Sequence, residues 1–161
     1  MPAYGLNNAS IPIIAYNYGA GRKERVHSAV RYGLLFVCII MAAGVLLLQV
    51  FPAQIVRMFS LSEESRRLCV TALRIITCGF FFAGFNIILQ GVCQALGNGI
   101  YSLMISLMRM LAVVLPLAWL LSRLPGAQTA VWFAIPAAEM AACILAILLT
   151  KRIFHKCMTT A

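Results

Sequence analysis

The 161-residue sequence is poor in charge, and above all in negative charge. Aspartate is absent, and charged residues make up 11% of the chain, against about 25% in ordinary globular proteins. Hydrophobic residues account for 63%, and the mean hydropathy is +0.94. A soluble fold of this length needs more polar side chains to cover its surface. The composition therefore excludes a soluble enzyme, a disordered chain and a secreted disulfide scaffold, and it indicates an integral membrane protein.

Catalytic and metal-binding patterns are also missing from the sequence. The six cysteines form no CxxC pair, and four of them lie in apolar runs, where a thiol acts as a small hydrophobe. His27 and His155 lie in basic junctions, far from any second ligand. Because no paired carboxylates, HExxH-like motif or Ser–His arrangement is found, the sequence indicates no enzyme, no metal site and no cofactor.

Positive charge is in excess, with thirteen Lys and Arg and a formal net charge of +9. In a soluble protein this excess would suggest nucleic-acid binding. Here the basic residues cluster mostly between apolar runs and form no stripe along one exposed helix, so the positive-inside rule accounts for them. The predicted partner is the lipid bilayer, and nucleic acid is not expected.

Four apolar segments are long enough to cross a bilayer, since a core of about 30 Å needs about 20 helical residues. Their pattern has the period of a helix and lacks the alternation of barrel strands. Turns at 97–99 and 124–126 are so short that consecutive spans must be antiparallel. Pro116 and Pro136 lie inside spans and are expected to kink them. The predicted fold class is an all-α antiparallel bundle of transmembrane helices, with spans at about 32–51, 71–96, 100–121 and 130–150.

Residues 1–21 resemble the last part of a transmembrane helix whose beginning is missing. Gly19, Ala20 and Gly21 come before a basic run, as at a helix C-terminus. The segment is short and rich in Asn, Pro and Gly, so we expect a truncated helix and a chain that is a fragment.

Orientation follows from the loops and from the basic tail at 151–161. Seven basic residues lie on the side formed by 19–31, 97–99 and 151–161, against four on the side of 52–67 and 122–129. The positive-inside rule predicts that the first side is cytoplasmic. The expected protein is a multi-pass protein of the plasma (inner) membrane with a cytoplasmic C-terminus.

Two ionisable residues, Arg109 and Glu139, lie deep within predicted spans. Helical rise places them about 15 Å and about 18 Å from the same face of the bundle. Because charges at this depth cost about 2.5–3.5 kcal/mol on insertion scales, we expect a salt bridge between antiparallel neighbours. The alternative is that Glu139 titrates, or meets a cation, in an aqueous cavity.

The second predicted span carries a polar stripe in which Asn86, Gln90 and Gln94 are spaced by four residues, and therefore share a face. Amides beside aromatic rings could line a site for an amphipathic organic cation. The alternative is hydrogen bonding that holds the helices together. The aromatic residues just outward along this helix are Phe80, Phe81, Phe82 and Phe85.

Three segments in register resemble the MATE (multidrug and toxic compound extrusion) transporters. Residues 94–99 (QALGNG), with 106–109 (SLMR), resemble the junction and arginine-bearing helix of a MATE lobe. Residues 131–139 (VWFAIPAAE) are similar to the start of a lobe's last helix. Residues 12–21 (PIIAYNYGAG) look like the signature two helices before that junction, and its motif residues are Pro12, Tyr16, Asn17, Gly19 and Ala20.

The resemblance implies a twelve-helix protein of two lobes that exports organic cations in exchange for Na⁺ or H⁺. The chain would run from late helix eight to helix twelve, so that its N-terminal lobe would be a missing partner and the chain alone would be inactive. Asn86 takes the position of an Asp that some members carry, and an amide cannot exchange a proton. The candidate pathway residues are Asn86, Gln90, Gln94, Arg109 and Glu139, and only the last is a deep carboxyl.

Two other functions remain open at this point. One is a flippase of lipid-linked sugars with the same architecture, although such proteins tend to bring many basic residues to their cavity and here only Arg109 is deep. The other is a stand-alone four-helix structural subunit of the membrane.

Overall fold

The computed structural model describes residues 2–159, without the side chains of 156–159, so Cys157 lies outside the described side chains. Within this range every regular element is a helix, which confirms the predicted all-α class. The elements are α1 (Pro2–Gly19), α2 (Lys23–Val50), α3 (Pro52–Arg57), α4 (Glu63–Thr77), α5 (Phe80–Ala95), α6 (Gly99–Leu107), a π-helical segment (Met108–Val114), α7 (Leu115–Leu121), α8 (Ala127–Ala130), a 3₁₀ turn (Val131–Phe133) and α9 (Ala134–Thr159).

By length and composition, three stretches of the described chain can cross a membrane: Lys23–Val50, Gly99–Leu121 and Ala127–His155. A fourth crossing is possible if α4 and α5, which meet at an angle of 50°, are counted as one broken span. The span predicted at about 71–96 is thus divided between α4 and α5. The predicted basic tail also continues α9 as a helix up to Thr159.

The bend between α4 and α5 is built from tight turns and a close contact. The N–H groups of Cys78 and Gly79 donate to carbonyls only three residues back, at distances of 3.2 and 3.0 Å, as in a 3₁₀ turn. A Cβ on Gly79 would lie 2.9 Å from the Cα of Pro136 in α9. The glycine therefore lets the backbone of α9 lie directly against the bend.

Pro116 widens its helix rather than breaking it. In an α-helical register, its ring would meet the carbonyl of Ala112 and offer that carbonyl no N–H. The preceding turn instead becomes π-helical, and the N–H of Leu115 donates to Met110, five residues back. The distortion predicted at this proline therefore takes the form of one enlarged turn.

Glycine ends α1 and α5 in the same way. Gly21 has φ +68°, and the N–H of Arg22 donates to the carbonyl of Asn17 at 2.9 Å. This six-to-one bond, with the bond from Gly21 to Tyr18 at 3.0 Å, is a Schellman motif. Gly97, with φ +76°, closes α5 by the same pair of bonds. The glycine cap predicted for the first helix is therefore present, and the turn predicted at 97–99 begins with a cap of the same kind.

The core is organised around α5, which packs against α1, α2 and α9. One face of α5 supplies much of the buried set, including Ile88, Val92 and Cys93. Close approach depends on Gly91, because a Cβ there would overlap the side-chain amide of Asn7 on α1. Asn7 is itself buried, so it has little room to move aside.

We expect Gly91→Ala to destabilise the protein by about 1–3 kcal/mol, since overpacking must push α1 away from α5. Gly44→Ala is the matched control, because a Cβ at Gly44 in α2 meets open space. The control should be neutral or stabilising by up to about 1 kcal/mol. Thermal unfolding in detergent, followed by helical circular dichroism, measures both; equal midpoints for the two variants would refute the close α1–α5 contact.

Candidate functional site

Arg109 and Glu139 form an ion pair inside the bundle. Nη1 of Arg109 lies 2.9 Å from Oε1 of Glu139, and the side chains are only 18% and 12% exposed. The salt bridge expected from their matched depths is therefore present. It joins the π-helical segment to α9, and each charge is balanced by its neighbour rather than left alone in an apolar surrounding.

Asn86 of α5 completes the cluster from a third helix. Its Nδ2 donates to Oε2 of Glu139 at 2.8 Å and to the main-chain carbonyl of Glu139 at 3.1 Å. Asn86 is fully buried. Each carboxylate oxygen of Glu139 thus accepts one hydrogen bond, from Asn86 or Arg109, and the cluster fixes α5, α9 and the π-helical segment together.

Two polar atoms of the cluster lack a hydrogen-bond partner in the described part of the chain. They are Oδ1 of Asn86 and Nε of Arg109, and both are buried. A buried polar atom without a partner costs about 1–3 kcal/mol, so such atoms are usually satisfied by water, an ion or a ligand. The cluster can accordingly take one further cation or donor at Asn86 and one further acceptor at Arg109.

The π-helical segment determines how Arg109 is presented. Such turns contain an extra residue per turn and occur often at functional sites. Since Pro116 produces the widened turn, this proline seven residues after Arg109 is the signal that sequence analysis could have used to find it. The sequence predicts a kink at this proline, and the wider turn is the form that the kink takes.

The remaining two amides of the stripe bind serines of α6. The hydroxyl of Ser106 donates to Oε1 of Gln90 at 2.8 Å, and Nε2 of Gln94 donates to Ser102 at 2.8 Å. The stripe is therefore divided: Asn86 meets Glu139, whereas Gln90 and Gln94 form the interhelical bonds that the sequence left as the alternative.

Two of the phenylalanines of α5 line cavities. Phe85 lines a cavity between α2, α5 and α9, together with Arg31 and Lys151. Phe80 lines a different cavity, beside Trp132. The lining of these two cavities does not include Asn86, Gln90 or Gln94.

The motif residues of the first segment shape the end of α1. Nδ2 of Asn17 donates to the carbonyl of Ile13 at 2.8 Å, and the N–H of Ala20 donates to Tyr16 at 3.0 Å. Tyr16 itself is 71% exposed. This motif therefore forms the helix end and presents a tyrosine at the surface of the described chain, away from the Glu139 cluster. Its remaining members, Pro12 and Gly19, lie inside α1 and at its last residue.

Comparison with known proteins places this geometry in a family. The MatE family model matches residues 1–120. The chain belongs to the MATE family. Among its relatives, the probable multidrug resistance protein YoeA of Bacillus subtilis is 27% identical over 139 residues, which are 86% of this chain and 30% of YoeA. An FAD transporter of Shewanella oneidensis is 27% identical over 123 residues, covering 76% of this chain and 27% of the transporter.

A solved MATE structure has the same fold. The inward-facing conformation of a multidrug resistance MATE transporter superposes with a TM-score of 0.91 at 22% identity, covering 99% of this chain and 37% of the other. The chain spans about a third of the length of the MATE proteins it matches. MATE transporters are multi-pass membrane proteins, and the described chain has helices long and apolar enough to cross a membrane.

Removing one member of the ion pair should be more damaging than removing both. Glu139→Gln or Arg109→Met leaves an unpaired buried charge, and each should destabilise the protein by about 3–5 kcal/mol. The double variant carries neither charge and should lie within about 1 kcal/mol of the wild type. Thermal unfolding in detergent measures the stability of the wild type, the two single variants and the double variant. Losses that simply add in the double variant would show that the two side chains are not coupled.

Proposed function

We propose that this chain forms part of the second lobe of a MATE transporter that exports organic cations in exchange for Na⁺ or H⁺. The family match over residues 1–120 carries the proposal. Transport in secondary transporters works by rocking two repeats around a site between them. A single partial lobe lacks the second wall of such a site, so the chain alone is expected to be inactive.

Glu139 is the proposed point of action of the coupling ion. In the described chain the other glutamates, Glu24, Glu63 and Glu64, lie in the first turns of α2 and α4. Na⁺ binds oxygen atoms in transporters, and Glu139 offers a carboxylate beside the unpartnered Oδ1 of Asn86. A proton would bind the same carboxylate. An ion bound at this carboxylate would compete with Arg109 for it, so binding would weaken the link between α9 and the π-helical segment.

The proposed orientation places the C-terminus in the cytoplasm of a plasma (inner) membrane. The α1–α2 junction carries Arg22, Lys23 and Arg25, and the end of α9 carries Lys151 and Arg152. Both lie at the same end of the bundle, because α5, which ends there, is antiparallel to α2 and parallel to α9. The clustering of cations at one end supports this orientation.

The comparisons favour neither alternative function. The matching family is MatE, and the relatives are named for drugs or, in one case, FAD. Arg109, the only deep basic residue of the described spans, is neutralised by Glu139, whereas a sugar-phosphate flippase would need free positive charge in its cavity. FAD is an anion, so the proposed specificity can be tested by asking whether the transporter prefers a cationic or an anionic substrate.

The chain reconstituted alone into liposomes is expected to give no uphill movement of ethidium. A MATE transporter that contains this segment and a complete first lobe should expel ethidium when a Na⁺ or H⁺ gradient is applied, and should not expel FAD. Dye fluorescence and chemical assay of FAD give the two rates. Uphill efflux by the short chain would contradict the need for a second lobe, and preference for FAD would contradict the assignment to organic cations.

In that complete transporter, Glu139→Gln should lower gradient-driven efflux about ten-fold or more, as expected when an interaction of about 1.4 kcal/mol is removed. Glu64→Gln is the matched control, because Glu64 is an exposed carboxylate in the first turn of α4. Rates are compared at equal amounts of folded protein in the membrane. Retained dependence on the ion gradient in Glu139→Gln would limit Glu139 to a structural role.

A further inference from the structure

A cavity of about 540 Å³ opens between α2, α5 and α9, away from the contact of Asn86 with Glu139. It lies at the end of the bundle where α1 meets α2 and α9 finishes. Apolar side chains form its inner wall, while its rim is basic. The inner wall includes Leu34, Phe85, Leu89 and Ile147, and the rim is formed by His27, Arg31 and Lys151.

A second cavity of about 420 Å³ adjoins the first one. The two share Arg31, Leu34 and Phe85, and the second continues along α2 to Leu35 and Cys38. Leu34 and Phe85 therefore separate two neighbouring apolar grooves. Arg31 borders both grooves, so one positive charge lies over two apolar channels.

The basic rim is available for an external anion. Arg31 and Lys151 are exposed, and neither forms an ion pair with any side chain that the structure describes. Glu24, seven residues before Arg31 on the same helix, pairs with neither of them. His27 is held in place by an edge-on contact with Phe154, with ring centroids 6.1 Å apart, which links the start of α2 to the end of α9.

The depth of the grooves suits an acyl chain. Phe85 lies ten residues before Ala95, the last residue of α5, and therefore about 15 Å inside the bundle by helical rise. Arg31 directly precedes the apolar span predicted at 32–51 and Lys151 directly follows that at 130–150, so both lie at the level of lipid headgroups. Basic pockets between transmembrane helices are known to receive anionic headgroups.

We propose that the two grooves bind one anionic phospholipid, with its phosphate at Arg31 and Lys151 and one acyl chain in each groove. A zwitterionic lipid fits less well, because its cationic headgroup would lie beside two cations. A free phosphate would leave both apolar grooves uncovered. The transported organic cation is disfavoured here by the positive rim. The bound lipid contacts α2, α5 and α9 and so stabilises the packing of these three helices.

Native mass spectrometry of the purified protein in neutral detergent tests the proposal by titration with phosphatidylglycerol, phosphatidylcholine or glycerol phosphate. Arg31→Gln with Lys151→Gln should weaken phosphatidylglycerol binding about thirty-fold, from about five-fold for each charge near the membrane surface. The charge-conserving variant Arg31→Lys with Lys151→Arg should bind within about three-fold of the wild type, which separates charge loss from misfolding.

Arg57→Gln with Arg67→Gln is the matched control, because it removes two exposed charges at the opposite end of the bundle. Binding that this control leaves unchanged supports the site. Leu34→Trp fills the wall between the grooves without changing charge, and it should also weaken binding. Equal binding of phosphatidylglycerol and phosphatidylcholine would overturn the proposal, and so would glycerol phosphate binding as tightly as the lipid, or equal losses in the two charge-removal variants.

Discussion

The Arg109–Glu139 ion pair is the constraint around which this bundle is arranged, because neither charge can remain alone in an apolar surrounding. The pair lies between two antiparallel helices, the helix that begins at Gly99 and α9. Asn86 holds the carboxylate from α5, the most buried helix of the described chain. The widened turn before Pro116 belongs to the same arrangement, since it carries the guanidinium. The packing of α5, the widened turn before Pro116 and the pairing of opposite charges therefore all involve this one cluster.

Close contact between backbones makes this arrangement possible. Gly91 lets α5 approach Asn7 of α1, and Gly79 lets the bend between α4 and α5 lie against Pro136. Lipid tails are as apolar as leucine, so helix association in a membrane depends on such close packing and on interhelical hydrogen bonds. The bonds from Gln90 and Gln94 to α6 supply the second part. Close helix contacts at glycines and interhelical hydrogen bonds from amide side chains therefore hold the bundle together.

Features that depend on the chemistry of neighbouring residues, or on the depth of a residue in the membrane, could be predicted from the sequence. Helical period defined the fold class, glycines defined the caps, and counting residues from the same membrane face paired Arg109 with Glu139. The bend at Gly79 could not be predicted, because hydropathy runs through it unbroken and its cause is a tertiary contact with Pro136. The partners of Gln90 and Gln94 could have been found: Ser102 and Ser106 repeat the same four-residue spacing on the next, antiparallel helix.

The sign of their charge distinguishes two regions of this chain that share α5. On one side, Glu139 brings negative charge into the bundle and Arg109 balances it, so a cation would compete with the guanidinium for the carboxylate. On the other, Arg31 and Lys151 remain unbalanced and repel cations from the grooves beside Phe85. Because α9 also lines the grooves, displacement of Arg109 would loosen the contact between the π-helical segment and α9 and so act on one wall of the grooves. Ion binding and lipid binding would then be coupled through one helix, with reciprocal effects on affinity.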